Sequence, residues 1–120
     1  MDVRIEAMNV IIAGTDTTGV TLTYLTWAVL QRPELQAALE AEVANLKDDF
    51  KEKDVTELPL LNAVIEETLR LYGAAPSSLP RTVPQGGSKL GGHYIPQGTT
   101  VSTQAYTFHR DAKIWSDPLT

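Results

Sequence analysis

Apolar positions in the first third of the chain settle a local contest between strand and helix. Val20, Leu22 and Tyr24 alternate as in a half-buried strand, a conformation that Thr and Val also favour. The alternation stops at Leu25, whereas Leu22, Leu25, Ala28 and Val29 continue at three- and four-residue steps. The pattern predicts one long helix over residues 3–31, although Gly14 and Gly19 each cost it roughly 1 kcal/mol relative to Ala. Arg32-Pro33 is a break and restart, because proline disfavours helix in the preceding residue and suits the first turn of the next. A second helix over residues 33–46 carries Leu35, Ala38, Leu39, Val43 and Leu46 as its apolar stripe, with Glu34, Glu40 and Glu42 outside it. Residues 47–54 form a charge-dense connector that reads as a solvated loop. Thr56 offers an N-cap to a third helix with Pro59 in its first turn, ending at Tyr72 before Gly73. Leu58, Leu61, Val64, Ile65, Leu69 and Tyr72 make its expected core face.

From Gly73 onwards prolines and glycines punctuate short β-prone pieces. The spacing predicts an extended piece over 79–83, a turn over 84–87 and a strand over 93–95. Pro96 and Gly98 fit the second and fourth positions of a type I turn, leading into a strand over 100–108 and a last irregular or helical piece from His109. The expected fold is mainly α with a small antiparallel β portion, an α+β arrangement in a single domain over 1–120. Its first helix is apolar nearly all round from Thr21 to Leu30, which suits burial inside a larger protein. Two shorter helices and a few strands can scarcely wrap it, so the chain reads as a fragment.

Composition adds exclusions. The chain has 120 residues, 42% of them hydrophobic, enough for a modest core. A net charge of -5 gives no basic footprint for nucleic acid. There is no cysteine, which removes disulfides, thiol catalysis and thiolate ligation from within these residues. Asn9, Asp16 and the threonines interrupt the apolar runs below the ~18 residues of a membrane span, so no membrane anchor is read here. No signal or transit peptide is visible at Met1-Asp2-Val3-Arg4, and localisation stays unknown.

Chemistry concentrates in Ala13-Gly14-Thr15-Asp16-Thr17-Thr18, an acid among hydroxyls inside an apolar segment. On a helix Val10, Ala13, Gly14, Thr17, Thr18 and Thr21 share a face, with Asp16 about 100° from Thr17. The small pair Ala13-Gly14 makes a notch where a flat ligand can approach the backbone. A phosphate loop is the competing reading, because Gly14 to Thr21 has the spacing G-x-x-x-x-G-K-[ST] except that Val20 stands in place of the lysine. His109-Arg110-Asp111 imitates a kinase catalytic loop, but Ser116 stands where that loop needs a metal-binding Asn. His93 and His109 lack a second ligand at helical spacing, so no metal site is read. Glu67 and Arg70 form the other constellation. Its bland reading is a surface ion pair, for which Glu66-Arg70 is a better i,i+4 match, since both project opposite the Leu61-Ile65-Tyr72 stripe. Leu60 and Leu71 flank Glu67 and leave it at a boundary.

Taken together, these pieces resemble a cytochrome P450, a haem-thiolate monooxygenase. Ala13 to Thr18 matches the family's [AG]-G-x-[DE]-T-[ST] segment of the long I helix, and Glu67-Thr68-Leu69-Arg70 its E-x-x-R on the K helix. Arg32-Pro33-Glu34-Leu35-Gln36 opens a matching J helix. Leu79-Pro80-Arg81, Tyr94 to Thr99, and His109-Arg110-Asp111 with Trp115-Ser116-Asp117-Pro118 recur in the same order, with a texture similar to fungal microsomal-type members of secondary metabolism.

The resemblance implies a haem cofactor, a NADPH-cytochrome reductase as electron donor, an apolar small-molecule substrate and an endoplasmic-reticulum setting. By it, Ala13 and Gly14 would let the haem approach the helix, Thr17 would hold a water or oxygen species, and Asp16 would feed protons towards it. Thr17 is also expected to bond back to the Ala13 carbonyl and open the helix locally. Glu67 and Arg70 would form a buried structural network with a downstream arginine, Arg81 would pair with a haem propionate with His109 assisting, and residues 75–79 would line the substrate side. By the resemblance, the family's cysteine loop would lie beyond Thr120 and its membrane anchor and much of its helical shell before Met1, so the expectation is a partial domain incomplete at both ends: a truncated monooxygenase, a gene remnant or partial gene model, inactive alone. The alternatives are a small helical partner- or lipid-binding protein and a P-loop-like nucleotide binder.

Overall fold

Helix α1, Val3–Leu30, runs without a break for 28 residues, about 42 Å, in a computed structural model that describes residues 2–119. Asp2 starts it by accepting the Arg4 N–H on Oδ1 at 3.0 Å. The threonines that favour strand are accommodated by donating their hydroxyls back along the helix. Thr17 reaches the Ala13 carbonyl at 2.7 Å, Thr21 the Thr17 carbonyl at 2.9 Å and Thr23 the Gly19 carbonyl at 2.8 Å. These bonds leave the helix α throughout, so the expected local opening at Thr17 is not seen.

Pro33 starts α2, Pro33–Ala44, as the break predicted. It ends two residues before the predicted limit because Asn45 turns its side-chain amide onto the Ala41 carbonyl at 2.8 Å. Its half-buried positions are Leu35, Gln36, Leu39 and Glu42, whereas Val43 is exposed. The connector read as a loop contains a further helix, α3, Glu52–Thr56. Its first turn closes because the Asp54 carboxylate accepts the Lys51 N–H at 2.9 Å. Thr56 is therefore the last residue of α3 and not the N-cap of the next helix; its hydroxyl donates to the Lys53 carbonyl at 2.9 Å.

Helix α4, Pro59–Tyr72, begins after Leu58, whose side chain cannot cap it. The cap comes from α2. The Glu42 carboxylate accepts the Leu60 N–H at 2.7 Å on one oxygen and the Leu61 N–H at 2.9 Å on the other. Thr68, Arg70 and Leu71 are the buried residues of α4, and Leu69, placed in the core by its periodicity, is exposed. Helices α1, α2, α3 and α4 lie in one compact unit, Met1–Ala75. In it Tyr72 stacks on Tyr24, with ring centroids 4.9 Å apart and planes 5° from parallel, and meets Trp27 edge-on at 6.0 Å. Only Thr21, Leu25, Ala28 and Val29 of α1 are half-buried, and residues 2–20 are all exposed.

The second unit, Pro76–Thr120, holds two small antiparallel pairs. Strand β1, Arg81–Thr82, pairs with β4, Thr100–Val101, in the register Arg81 to Val101. Beside them Val83 is buried, with its N–H on the Thr99 carbonyl at 2.9 Å. Strands β2, Ser88–Leu90, and β3, His93–Ile95, form a hairpin in which Leu90 faces His93. Gly91 and Gly92 turn it with φ of +55° and +87°, the signs a two-residue type I′ turn requires. Only β3 of this hairpin was expected. The Pro96 turn also differs from expectation. Thr99 N–H bonds to the Pro96 carbonyl at 3.3 Å and Gly98 has φ +79°, so Pro96 is first and Gly98 third, as in a type II turn. The long strand expected over 100–108 stops at Val101; Ala105–Phe108 is a short helix, α5, whose Phe108 carbonyl accepts the Trp115 indole N–H at 3.0 Å. Fold class is as the pattern predicts, mainly α with a small antiparallel β portion.

Among the described residues, Leu71 and Val83 are the only buried hydrophobic side chains, while Ile5, Ile11, Ile12 and Leu22 are each more than half exposed. That much burial cannot offset backbone ordering at about 1–2 kcal/mol per residue. The 120-residue chain expressed alone is therefore expected to show helical far-ultraviolet dichroism, to bind a hydrophobic dye and to melt without a cooperative transition. A soluble monomer with a sharp calorimetric peak would contradict this.

Candidate active site

Six of the eight candidate residues lie in the first unit. Ala13, Gly14, Asp16 and Thr17 occupy one and a half turns of α1, all exposed. The Thr17 hydroxyl is fixed on the Ala13 carbonyl, which brings these two into contact as expected. A Cβ built on Gly14 would meet nothing within 4 Å, so no packing inside the chain accounts for glycine there. The helix cost at Gly14 thus keeps an open face, a physical use of glycine where something else approaches the backbone. Asp16 projects into a shallow groove lined also by Thr15, Gly19, Val20, Thr23 and Tyr24. Because residues 14–21 are wholly helical, their amides are spent on the helix ladder and cannot cradle a phosphate.

Glu67 and Arg70 meet one turn apart on α4. Arg70 Nε donates to Glu67 Oε2 at 2.7 Å and Nη2 to Oε1 at 2.6 Å, a bidentate fork. The Arg70 side chain is 5% exposed and that of Glu67 48%. Helical projection had set Arg70 opposite the core; burial of the guanidinium corrects that, and so does its pairing with Glu67 at i,i+3. Removing Glu67 would take the fork from a buried cation, a more costly change than losing a surface pair worth up to about 1 kcal/mol.

Arg81 and His109 belong to the second unit. Arg81 opens β1, exposed, with Nη1 on the Pro80 carbonyl at 2.9 Å. His109 caps the C-terminal end of α5, half-buried, with its N–H on the Ala105 carbonyl at 2.8 Å. Next to it the Arg110 guanidinium lies 4.0 Å from the centre of the Tyr106 ring. Sequence reasoning set Glu42 outside the apolar stripe of the second helix and Tyr72 in a core face, and gave neither its partner. The start of α4 at Leu58-Pro59, with no side chain able to cap it, is the signal that a distant carboxylate is needed; nothing in the sequence says which.

Comparison with known proteins identifies the class. The cytochrome P450 family matches residues 1–120, and the chain belongs to that family. It is 53% identical over 117 residues to the cytochrome P450 monooxygenase tazI of Aspergillus terreus, covering 98% of this chain and 24% of that protein. A cytochrome P450 monooxygenase of Dothistroma septosporum, cypX, is 48% identical over 119 residues, 99% of this chain and 23% of the relative. The methylphloroacetophenone oxidase of Cladonia uncialis is 42% identical over 118 residues, 98% and 26% of the two lengths. Among solved structures, a zebra fish cytochrome P450 with abiraterone superposes with a TM-score of 0.82 at 32% identity, over 95% of this chain and 28% of the other. The chain thus spans about a quarter of the length of the curated relatives it matches.

The cytochrome P450 family implies a haem cofactor. Within the first unit the open Gly14 face suits the approach of a flat group to the helix backbone; within the second, the exposed Arg81 offers a cation to an anionic edge. The iron's axial thiolate has no source in a sequence without cysteine, and no group of three or more His, Cys, Asp or Glu among the described residues could hold a metal ion. The residues therefore fit as outer contacts and not as the iron's ligand.

Glycine sites separate the two roles. Gly14→Ala should raise the helix content of the isolated chain, by about 1 kcal/mol in helix free energy, because its Cβ meets open space. Gly87→Ala should loosen the β2–β3 hairpin, since φ is +77° there and the new Cβ would run into the Tyr94 ring. Far-ultraviolet dichroism and amide exchange check the pair; a loss of helix in Gly14→Ala would overturn the first expectation.

Proposed function

We propose that this chain is the proton-handling and clamping part of a haem-dependent monooxygenase that inserts one oxygen atom from O2 into an apolar small molecule. Electrons would come from NADPH through a reductase. The observation that supports this most is the 2.7 Å bond from the Thr17 hydroxyl to the Ala13 carbonyl, on the open face that Gly14 leaves. A hydroxyl has one proton, and Thr17 uses it on Ala13, so outwards it offers only lone pairs. It would therefore hold a water, or another proton donor, by accepting from it. Asp16, exposed and one residue away, would exchange protons with solvent and pass them towards that donor.

Haem, when bound, supplies the activation of dioxygen and the transfer of one oxygen atom. Ala13 and Gly14 would face it, and Arg81 with His109 would hold its propionates. Glu67 and Arg70 would act as a clamp and take no part in chemistry, and residues 75–79 would line the substrate side. Residues 1–120 are read as part of a single domain. With no cysteine they supply no thiolate, so alone they would not catalyse. An apolar ring compound as substrate, of the secondary-metabolite kind, is supported by the oxidase named for methylphloroacetophenone and by structural neighbours holding progesterone and abiraterone. No described helix is long and apolar enough to cross a membrane.

In the full-length enzyme carrying this segment, Thr17→Ala should lower product formed per O2 consumed by about tenfold or more and raise peroxide, whereas Thr17→Ser should keep most coupling. Unchanged coupling in Thr17→Ala would remove Thr17 from this role. The 120-residue chain given haem, reductant and carbon monoxide should show no thiolate-type Soret band, and such a band would overturn the claim of inactivity.

A further inference from the structure

Helix α4 begins with a shortage of partners. Pro59 has no N–H to offer and Leu58 no side-chain acceptor, so the first free amides are those of Leu60 and Leu61. Both are taken by one carboxylate, Glu42, from a residue eighteen positions earlier on α2, at 2.7 and 2.9 Å. Each oxygen takes one amide, so the carboxylate fixes α4 both along its axis and in rotation. Negative charge at a helix start is also favoured by the helix dipole. At the other end of the same helix lie Arg70, bidentate on Glu67, and Tyr72 against Tyr24. A 14-residue helix transmits an axial slip or rotation at its start to its last turn, because its hydrogen bonds are too stiff to absorb the change.

We propose that Glu42 is a positioning residue for the Glu67–Arg70 fork: its cross-helix cap sets the register of α4, and through it where the buried guanidinium sits. The proposal rests on the clamp role given to Glu67 and Arg70 above. It makes α2 more than surface packing, and it assigns different consequences to substitutions of similar size at Glu42. Gln keeps one acceptor oxygen but turns an NH2 towards the second amide. Asp is one methylene short of both. Ala leaves both amides without the carboxylate.

The test uses the full-length haem-loaded protein, reading the share of its reduced carbon monoxide complex that has lost the thiolate-type Soret band, together with Tm. Glu42→Ala should raise that share by about fivefold, with Glu42→Gln and Glu42→Asp between it and wild type. Arg70→Lys should raise it further, and Glu42→Ala combined with Arg70→Lys should be no worse than Arg70→Lys alone. That non-additivity is the sign of action through Arg70, since independent sites this far apart would multiply their effects. A lowered Tm in Glu42→Gln with an unchanged thiolate share, or a double variant whose loss is the product of the two single losses, would overturn the proposal. If Arg70→Lys itself leaves the band intact, the clamp reading fails and the proposal falls with it; silence at Arg70 rather than Glu42 tells the two failures apart.

Discussion

The ring of Tyr72, lying flat on Tyr24 and edge-on to Trp27, is the contact on which the placement of α1 depends within the first unit. Aromatic pairs of this kind contribute about 0.5–1.5 kcal/mol each beyond the area they bury. They act at the far end of a helix whose residues 2–20 are all exposed. Thr17 is seven residues, about 10 Å along the axis, from Tyr24. An unbroken helix carries the anchored end's position out to Ala13–Thr18, so a site with almost no packing of its own is still held in one place. The threonine hydroxyls turned onto backbone carbonyls serve the same end, because they hold side chains of strand-favouring residues inside a helix.

Helix α4 carries more obligations than any other element. At its start it takes a carboxylate from α2, along its length it buries Thr68 with its hydroxyl on Val64, and in its last turns it presents a buried arginine and the Tyr72 ring. A guanidinium 5% exposed is costly unless its donors are matched, and the two short bonds to Glu67 match two of them in fork geometry. Glu67 itself stays half in solvent, so the pair is neither a surface bridge worth a few tenths of a kcal/mol nor a fully desolvated one. Polar chemistry of this cost, on a helix that could have been apolar, is consistent with the clamp proposed for Glu67 and Arg70.

Much of this was legible in the residues. The three- and four-residue steps ending at Val29 placed α1 to within a residue of its end, and Arg32-Pro33 placed the start of α2. The Thr17 bond to Ala13 was readable from a β-branched hydroxyl in mid-helix. What could not be read was tertiary. Glu42 looks like any other solvated acid of α2 until α4 is brought to it, and Arg70 projects away from the apolar stripe yet is buried. Residues 47–54 hid the start of α3, because charge density signals exposure and not the absence of a helix. Gly91-Gly92 is a hairpin signal, but Ser88-Lys89-Leu90 has no alternating apolar pattern to flank it. At Pro96 the choice between turn types turned on φ at Gly98, which sequence alone leaves open.

The chain belongs to the cytochrome P450 family, and the role we propose for Ala13–Thr18 within it is proton handling. Glycine opens the face, the threonine hydroxyl points its lone pairs outwards, and the acid stands beside them in solvent. The most direct measurement is the solvent deuterium isotope effect on product formation in the full-length enzyme, wild type against Asp16→Asn. The account predicts a turnover lowered by about a hundredfold and a markedly larger isotope effect in Asp16→Asn, because proton delivery becomes limiting. Equal isotope effects and equal turnover in the two proteins would contradict it.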